Sequence, residues 1–265
     1  DGLLRLAPNG DLRVWDEADG LLQSNLRDLR IDEQGQVWTA SKFGVNLIQG
    51  DVVRTLTAKQ GLPNENIWCL YPDRSGRTWL GTDGAGVLRF SGERFVNLTL
   101  AEGLCSDLVM CAAADTTGAI WLGTYGNGIC RADGTAGFST NEGLPNNTVW
   151  CALALPAGDL LFGTSNGLFL LRDGRPVVLD SVRALAGERV LSLYRADDGR
   201  IWCGTRDKIA IVDLIGGSTE YLSQHGAGPL RSVRSIVHGL DGSLWLATDN
   251  GVLRRRPEGT STYTA

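Results

Sequence analysis

The chain has 265 residues, of which 43% are hydrophobic and 21% charged, and its formal net charge is −5. This composition is that of a folded protein rather than a disordered one. No apolar run approaches the ~20 residues of a membrane helix, and an acidic chain without basic clusters disfavours nucleic acid as a partner. No basic and then apolar leader follows Asp1, so we expect any signal sequence to lie outside this chain.

A repeat of about 41 residues runs through the chain, and such periods mark repeat architectures. The copies read GQVWTAS, GRTWLGT, GAIWLGT, GDLLFGT, GRIWCGT and GSLWLAT, and they align without gaps. A Gly stands three residues before each central position and a Thr or Ser three residues after it. We call this central position the anchor; it is occupied by Trp38, Trp79, Trp121, Leu161, Trp202 and Trp245.

Each repeat contains four short extended segments. In the second copy these read, in chain order, NIWCLY, TWLGT, GVLRF and RFVNLTL, and they are separated by segments rich in Gly, Asp, Ser and Pro. Such residues form tight turns, and four strands in a repeat of about 40–45 residues are typical of a β-propeller blade. We therefore predict an all-β β-propeller that occupies residues 1–265 as a single domain of a longer protein.

The ends of the chain decide the blade count. Six inner hairpins are present, one for each anchor. The N-terminal segment DGLLRLAPNGDLRVW reads like the C-terminal NGVLRRRPEGTSTY and adds a seventh outer hairpin. The favoured prediction is a seven-bladed ring whose first blade lacks its inner strands, and the alternative is a six-bladed ring with a spare hairpin. An open edge of this kind is prone to pair with another chain.

Comparison of the six copies separates scaffold positions from variable ones. The anchor, the Gly before it and the Thr after it are filled alike. The position twelve residues before the anchor is apolar in every copy, so its side chains should pack between neighbouring blades. These residues are Leu26, Ile67, Val109, Val149, Val190 and Val233.

Strand direction assigns the connections to two faces. The linkers between blades and the loops after the conserved Thr share one face, the linker face, whereas the Asp-x-x-Gly turns lie on the opposite, turn face. By analogy with other propellers, we expect ligands to bind at the linker face, where the loops are polar and do not repeat. The candidate ligand-binding residues are Lys42, Asn64, Asn66, Trp68, Asp83, Tyr125, Asn146, Trp150, Arg206, Asp249 and Asn250.

Both aromatic and cationic residues occur at one position of the inner strand. Trp68 and Trp150 stand eleven residues before the anchor, where two other copies have Arg27 and Arg234. Trp and Arg near the mouth of a propeller suit a planar or sugar-like ligand, through stacking and charge-assisted hydrogen bonds. The alternative is that both Trp residues pack between blades and that the loop residues are merely solvated.

The sequence contains no motif for a metal or a cofactor, and we predict neither. The two histidines, His225 and His238, lack metal-ligand spacing, and the turn that begins at Asp73 offers too few oxygen ligands for calcium. Three Cys residues occupy a small-residue position of the inner strands. The other three, Cys105, Cys130 and Cys203, have no obvious partner, so the cysteines do not decide the compartment.

The text GLPNENIWCLYPDRSGRTWLGTDGAGVLRF resembles the two-component regulator propeller family. The GLP linker recurs at Gly143–Leu144–Pro145, becomes GLC at Gly103–Leu104–Cys105, and is lost in the later linkers. The resemblance covers almost the whole chain. It implies a periplasmic sensor domain that precedes the kinase or diguanylate cyclase part of a longer signalling protein.

Three functions follow as hypotheses. The first is a non-catalytic sensor domain whose partners are a small molecule or glycan and its own downstream domains, with a homodimer as a further candidate. The second is an enzyme like the seven-bladed streptogramin lyases, for which His225 is the candidate general base. The third is a protein-interaction scaffold. The sensor is favoured, because no catalytic motif surrounds His225.

Overall fold

The computed structural model describes residues 2–7, 9–177, 179–183, 185–222, 224–225, 228–239, 241–256 and 259–263. Among these residues, side chains are left undescribed at 182, 224–225, 228–229 and 259–263. The described chain folds into six four-stranded sheets that follow one another in sequence, each strand pairing with the next. The fold is an all-β β-propeller with six blades.

The strand bounds, from the innermost strand outward, follow the repeat. Blade 1 contains Asp28–Ile31, Val37–Ser41, Gly44–Gln49 and Val52–Leu56; blade 2 contains Ile67–Pro72, Thr78–Thr82, Val87–Phe90 and Phe95–Leu98; blade 3 contains Val109–Ala114, Ile120–Thr124, Ile129–Arg131 and Gly137–Phe138. Blade 4 contains Val149–Ala154, Leu160–Thr164, Gly167–Arg172 and Arg175–Val177; blade 5 contains Ser192–Arg195, Ile201–Gly204, Ile209–Val212 and Thr219–Leu222; blade 6 contains Ser235–His238, Leu244–Thr248, Gly251–Arg256 and Gly259–Tyr263.

The favoured prediction of seven blades is wrong, and the alternative of six is correct. Strands Leu3–Leu6 and Leu12–Trp15 form a separate two-stranded sheet, with which no other described strand pairs. Each anchor supplies one inner hairpin, so six anchors complete six sheets and leave this outer hairpin over. Its Trp15 is buried in a small apolar cluster with Leu21 and Ile48, and the hairpin thereby packs beside blade 1.

Few other elements are present in the described part of the chain. A short helix spans Asp180–Arg183, and a two-residue strand pair joins Gln224–His225 to Gly228–Pro229. Four 3₁₀ turns lie in the first four linkers, at Glu17–Asp19, Ala58–Gln60, Leu100–Glu102 and Thr140–Glu142.

The chain divides into two compact units. Unit 1 comprises Asp1–Ala112, Gly118–Thr124 and Cys130–Ala136; unit 2 comprises Ala113–Thr117, Tyr125–Ile129 and Gly137–Ala265. In unit 1, a buried apolar cluster joins blades 1 and 2 and includes Trp38, Ile67 and Leu80. In unit 2, two clusters join blade 4 to blade 5 and blade 5 to blade 6. That residues 1–265 act as a single domain stays a prediction.

A Gly stands two residues after the anchor in several blades, in the motif W-x-G-T, and close contact between blades requires it. A Cβ atom on Gly81 would lie 2.6 Å from the carbonyl oxygen of Val109 in the next blade and 2.5 Å from Cys69 Sγ. A Cβ atom on Gly204 would lie 2.4 Å from the carbonyl oxygen of Val233, which stands at the position twelve residues before the anchor. The prediction that this apolar position packs between blades is therefore confirmed for Val109 in unit 1 and Val233 in unit 2.

The Thr of the same motif holds the loop that follows it. The Thr82 hydroxyl donates to the carbonyl of Gly86 at 2.8 Å and accepts from the N–H of Ala85 at 2.9 Å. Thr164 makes the same pair of bonds in blade 4. A Thr or Ser at this position thus fixes the start of each linker-face loop.

The Asp-x-x-Gly turn is joined to the anchor by a buried hydrogen bond. Asp73 accepts the N–H groups of Ser75 and Arg77 with one carboxylate oxygen and the indole N–H of Trp79 with the other, at 2.9 Å. Burial acts to raise the pKa of Asp73, but these hydrogen bonds together hold it below its ordinary value. The turn interpretation of Asp73 is confirmed, and the carboxylate is fully used within it.

The four N-terminal linkers begin with a capping box that the repeat comparison missed. In the second linker, the Thr57 hydroxyl accepts the Lys59 N–H, and the Gln60 side chain accepts the Thr57 N–H. Gly61 then adopts the left-handed conformation, φ 83°, that glycine accommodates. The next residue, Leu62, is buried. The sequence signal was T-x-x-Q-G-L, a capping box followed by a C-cap glycine.

Cys105 and Cys130 form a disulfide bond, with Cα atoms 6.0 Å apart. The bond ties the linker before blade 3 to the third strand of that blade, within unit 1. The two residues, for which the sequence showed no obvious partner, are therefore each other's partner. The partners lie in different columns of the repeat, so comparing like positions could not reveal the pair. Cys69, Cys111, Cys151 and Cys203 are not part of a disulfide bond.

Candidate ligand-binding face

Linkers and post-Thr loops lie side by side on the linker face. In unit 1, the N–H of Asp83 donates to the carbonyl of Asn66 at 3.0 Å, and Asp83 forms a β-bridge with Leu108. In unit 2, the corresponding bridge joins Tyr125 to Thr148. The structure thus brings these two kinds of segment together within each unit, as their strand directions indicated.

Four side chains of unit 1 form a closed polar and aromatic cluster. The Arg27 guanidinium lies over the Trp68 ring, 3.9 Å from its centroid. It also donates to Asn66 Oδ1 at 2.6 Å, and the Asn66 amide donates to Asp83 Oδ2 at 2.7 Å. Burial lowers the pKa of Arg27, and the Asp83 carboxylate opposes that shift. Three predicted residues therefore meet here, but with their polar groups paired to each other.

The other two candidates of unit 1 lie apart from this cluster. Asn64 Oδ1 accepts the backbone N–H of Asn66 at 2.8 Å, which forms a turn before the inner strand. Lys42 is exposed and makes no hydrogen bond or ion pair with any described residue. Asn64 thus has a local structural role, whereas the Lys42 ammonium is available to solvent.

A more open aromatic cluster lies in unit 2. Tyr125, 51% exposed, meets the half-buried Trp150 edge to face, with ring centroids 5.8 Å apart. The guanidinium of the exposed Arg189 lies 5.4 Å from the centroid of the Trp150 ring. The Trp150 indole N–H donates to Ser165 Oγ at 2.8 Å, which fixes the orientation of the ring. This arrangement presents an aromatic edge and a cation to solvent.

The remaining candidates of unit 2 fall into two groups. Asn146 Oδ1 accepts the N–H of Thr148 at 2.8 Å, the same turn bond that Asn64 makes. Exposed Asp249 accepts from Arg234 Nε at 2.9 Å, and hydrogen bonds from Ser232 and Arg234 hold the pKa of Asp249 below its ordinary value.

Backbone contacts place two more candidates near Asp249. The carbonyl of exposed Arg206 accepts the N–H of Ser232 at 2.6 Å, and the N–H of exposed Asn250 donates to Thr248. Ser232 has φ 46°, in the left-handed region that residues other than glycine seldom adopt. Backbone of this kind often occurs at functional sites.

Sequence reasoning did not include Arg189 among the candidates. It stands thirteen residues before the anchor, where the other copies have Asn25, Asn66, Leu108, Thr148 and Ser232. The variability of this position was the available signal, and only Asn66 was selected from it.

Several absences hold for the residues that the structure describes. They contain no group of three or more His, Cys, Asp or Glu that could hold a metal ion. They also contain no helix long and apolar enough to cross a membrane. The side chain of His225, the candidate base of the lyase hypothesis, lies outside the described side chains.

Comparison of the sequence with family models identifies the repeat. The model described as two component regulator propeller matches residues 61–84 and 184–207. Two segments of the chain are therefore similar to the two-component regulator propeller repeat. Each match runs from a linker, through the inner strand and the anchor, to the loop after Thr82 or Thr205. No curated protein sequence matches this chain.

Solved structures share the propeller fold. The extracellular domain of the hybrid two component system BT4673 from B. thetaiotaomicron is 21% identical with a TM-score of 0.69, over 91% of this chain and 33% of that one. The extracellular domain of BT3049 from the same organism is 16% identical with a TM-score of 0.59, over 91% and 40%. This chain therefore spans less than half the length of these extracellular domains.

An enzyme shares the fold as well. A catalytically inactive virginiamycin B lyase from Staphylococcus aureus is 17% identical to this chain, with a TM-score of 0.68. The alignment covers 90% of this chain and 84% of the lyase. At such identities these likenesses establish the fold and leave the function to be argued from the site.

Proposed function

We propose that this chain is the extracytoplasmic ligand-sensing propeller of a two-component or diguanylate cyclase signalling protein. It would bind a small molecule or a glycan on the linker face. The observation that carries the proposal is the open cluster of Tyr125, Trp150 and Arg189 in unit 2. The regulator repeat, the extracellular location of the similar sensor domains and the Cys105–Cys130 disulfide support the compartment.

The open cluster suits a ligand better than its counterpart in unit 1 does. In unit 1, Arg27 already covers the Trp68 ring at 3.9 Å and is bonded to Asn66. In unit 2, no carboxylate pairs with Arg189 among the described residues, and Tyr125 is half exposed. A planar ring or a sugar could therefore stack on Tyr125 or Trp150 while a polar ligand group meets Arg189.

Binding can signal only when it favours one of two arrangements of the longer protein. The downstream domains, or a second copy of the propeller, would supply the element that changes. Ligand affinity in the propeller alone therefore tests binding, and the full-length protein is needed to test the coupling.

The experiment is a calorimetric titration of oligosaccharides and small metabolites against the wild-type protein, Tyr125→Ala and Tyr221→Ala. Tyr221 is the matched control because it is also about half exposed, 47%, and lies beside a cation, Lys208, but belongs to an outer strand of blade 5. Loss of a stacking contact worth roughly 1 kcal/mol should weaken binding about fivefold in Tyr125→Ala. Equal affinity in the two variants would refute this placement of the site.

A further inference from the structure

The bond between the Asp turn and the anchor is absent in blade 5. In blades 1 and 2, the anchor indole N–H donates at 2.9 Å to an Asp six residues earlier, as Trp79 does to Asp73. In blade 5 the corresponding residue is Ala196. No described residue accepts a hydrogen bond from the indole N–H of Trp202.

The backbone of this turn nevertheless keeps the same form. In blade 2, the Asp73 N–H donates to the Arg77 carbonyl at 2.7 Å and its carbonyl accepts from Gly76 at 3.1 Å. In blade 5, Ala196 makes the equivalent bonds to Arg200 and Gly199, both at 2.9 Å. The turn of blade 5 therefore differs from that of blade 2 in lacking the carboxylate, and the space that a carboxylate would fill beside the Trp202 indole is open.

A cavity of about 480 Å³ lies at this point, on the turn face between blades 5 and 6 in unit 2. Its volume falls in the range of roughly 300–1,000 Å³ typical of small-molecule sites. Trp202, half-buried here, forms part of its wall, whereas Trp79 of blade 2 is only 5% exposed. The cavity is lined by Tyr194, Asp197, Trp202, His238, Arg255 and Arg256, among others.

The lining combines aromatic walls with the Arg255 guanidinium, which no described carboxylate pairs with. Tyr194 and His238 have ring centroids 6.3 Å apart, and the half-buried Arg255 guanidinium lies 5.9 Å from the centroid of the Trp202 ring. The Arg255 guanidinium makes no hydrogen bond or ion pair with any described residue. Nearby cations do have partners: Arg200 is paired with Asp198 at 2.8 Å, and Arg256 lies 3.9 Å from Asp241.

We propose that this cavity binds a small aromatic carboxylate. The carboxylate would pair with the Arg255 guanidinium, and the ring would lie against Trp202 and Tyr194. A guanidinium binds carboxylates through paired, charge-assisted hydrogen bonds, and aromatic pairs add dispersion and quadrupole attraction. At the rim, the exposed Asp197 carboxylate lies 4.0 Å from His238 Nδ1 and would favour a ligand that also carries an ammonium group.

The site is tested by calorimetric titration of the wild-type protein with L-tryptophan, indole-3-acetate and tryptamine, at millimolar concentrations. We expect both carboxylates to bind and tryptamine, which lacks the carboxylate, not to bind. Tighter binding of L-tryptophan than of indole-3-acetate would identify a zwitterionic amino acid, and the reverse order an aromatic acid. Binding by neither carboxylate overturns the proposal.

Two variants locate the site. Arg255→Met retains an unbranched aliphatic stem but removes the guanidinium. It should weaken carboxylate binding at least about tenfold, the usual effect of losing a charge-assisted pair. Arg175→Met, at an exposed position on the outer strand of blade 4, is the matched control and should bind like the wild type. Equal affinity in the two variants overturns the proposal.

A third variant restores the missing carboxylate. Ala196→Asp gives blade 5 the Asp that blades 1 and 2 have at this point of the turn, where the backbone has the same form. Its carboxylate should accept a hydrogen bond from the Trp202 indole N–H and fill the space beside that ring in the cavity. We expect carboxylate binding to be lost while the melting temperature stays equal or rises, which excludes unfolding as the cause. Retained binding in a folded Ala196→Asp protein overturns the proposal. Tyr125→Ala, on the opposite face, should leave this binding unchanged and separates it from the linker-face site.

Discussion

Replacing both cysteines of the disulfide, as Cys105→Ser with Cys130→Ser, should destabilise the protein markedly. Cys105 stands in the linker where two other linkers have Pro63 and Pro145, and Cys130 occupies a third-strand position that is apolar in four other blades. The bond therefore joins a surface connection to the apolar interior of blade 3, and it closes a loop between residues 25 apart in sequence.

The loop length sets the size of the effect. In the chain-entropy description, a cross-link that closes 25 residues removes about 12 cal/mol/K from the unfolded chain, or about 3.5 kcal/mol at 25 °C. With an unfolding entropy of about 2.1 cal/mol/K per residue over 265 residues, this stabilisation corresponds to a difference of about 6 °C in melting temperature. Removing the bond should lower the melting temperature by that amount.

The assay begins with a thiol titration of the denatured, oxidised wild-type protein, which should find four free cysteines. Thermal unfolding then follows with and without dithiothreitol. The reductant should lower the wild-type melting temperature to that of the double variant and leave the double variant unchanged. Six free thiols would refute the pairing. Four thiols with equal melting temperatures in the two redox states would refute the stability argument.

Two further predictions concern the scaffold. Gly204→Ala should lower the free energy of unfolding by about 2 kcal/mol in urea titrations. The new Cβ would lie 2.4 Å from the Val233 carbonyl oxygen, and overpacking costs about 1–3 kcal/mol. Blade 6 has Ala247 at the same position, so the need for glycine depends on the neighbouring blade. Asp73→Asn should lower the unfolding free energy by about 2 kcal/mol at neutral pH. Both carboxylate oxygens of Asp73 accept hydrogen bonds, and the asparagine amide group would replace one acceptor with an N–H donor. Since folding lowers the pKa of Asp73, its stabilisation is present above the unfolded pKa of about 3.9 and is lost as the pH falls through the folded pKa. The stability gap between wild type and Asp73→Asn should therefore close only below about pH 4, and a gap that closed near pH 6 would contradict this assignment.

Periodicity was enough to predict the blades because each repeated residue has a local or next-blade role. Gly81 is required by contact with the next blade, and Thr82 fixes the loop directly after it. Such constraints recur at a fixed spacing, so one sequence with six copies displays them. The T-x-x-Q-G-L signal of the capped linkers was equally local and could have been identified from the same text.

The blade count and the disulfide could not be obtained in this way. Whether the Leu3–Leu6 hairpin gains inner strands depends on pairing with another segment, which the hairpin's own residues do not specify. Cys105 and Cys130 meet because a linker and a third strand lie together in space, although they occupy different columns. Contacts between unlike positions require the three-dimensional fold.

Variability between copies selects candidate residues, but pairing within the protein decides which of them can bind a ligand. Trp68 and Asp83 stand at variable positions, yet Arg27 and Asn66 connect them in a cluster whose groups are paired with one another. A ligand there would have to break those hydrogen bonds between half-buried and exposed groups, and that loss offsets part of the free energy that stacking contributes.

The open clusters do not carry that cost. Tyr125 with Arg189 on the linker face, and Trp202 with Arg255 on the turn face, combine an accessible ring with a guanidinium that no described carboxylate neutralises. A ligand that pairs with such a guanidinium displaces water and breaks no bond of the scaffold. For this reason the variants that separate binding from folding are those at Tyr125 and Arg255, whereas substitutions at Arg27 or Asn66 would change both.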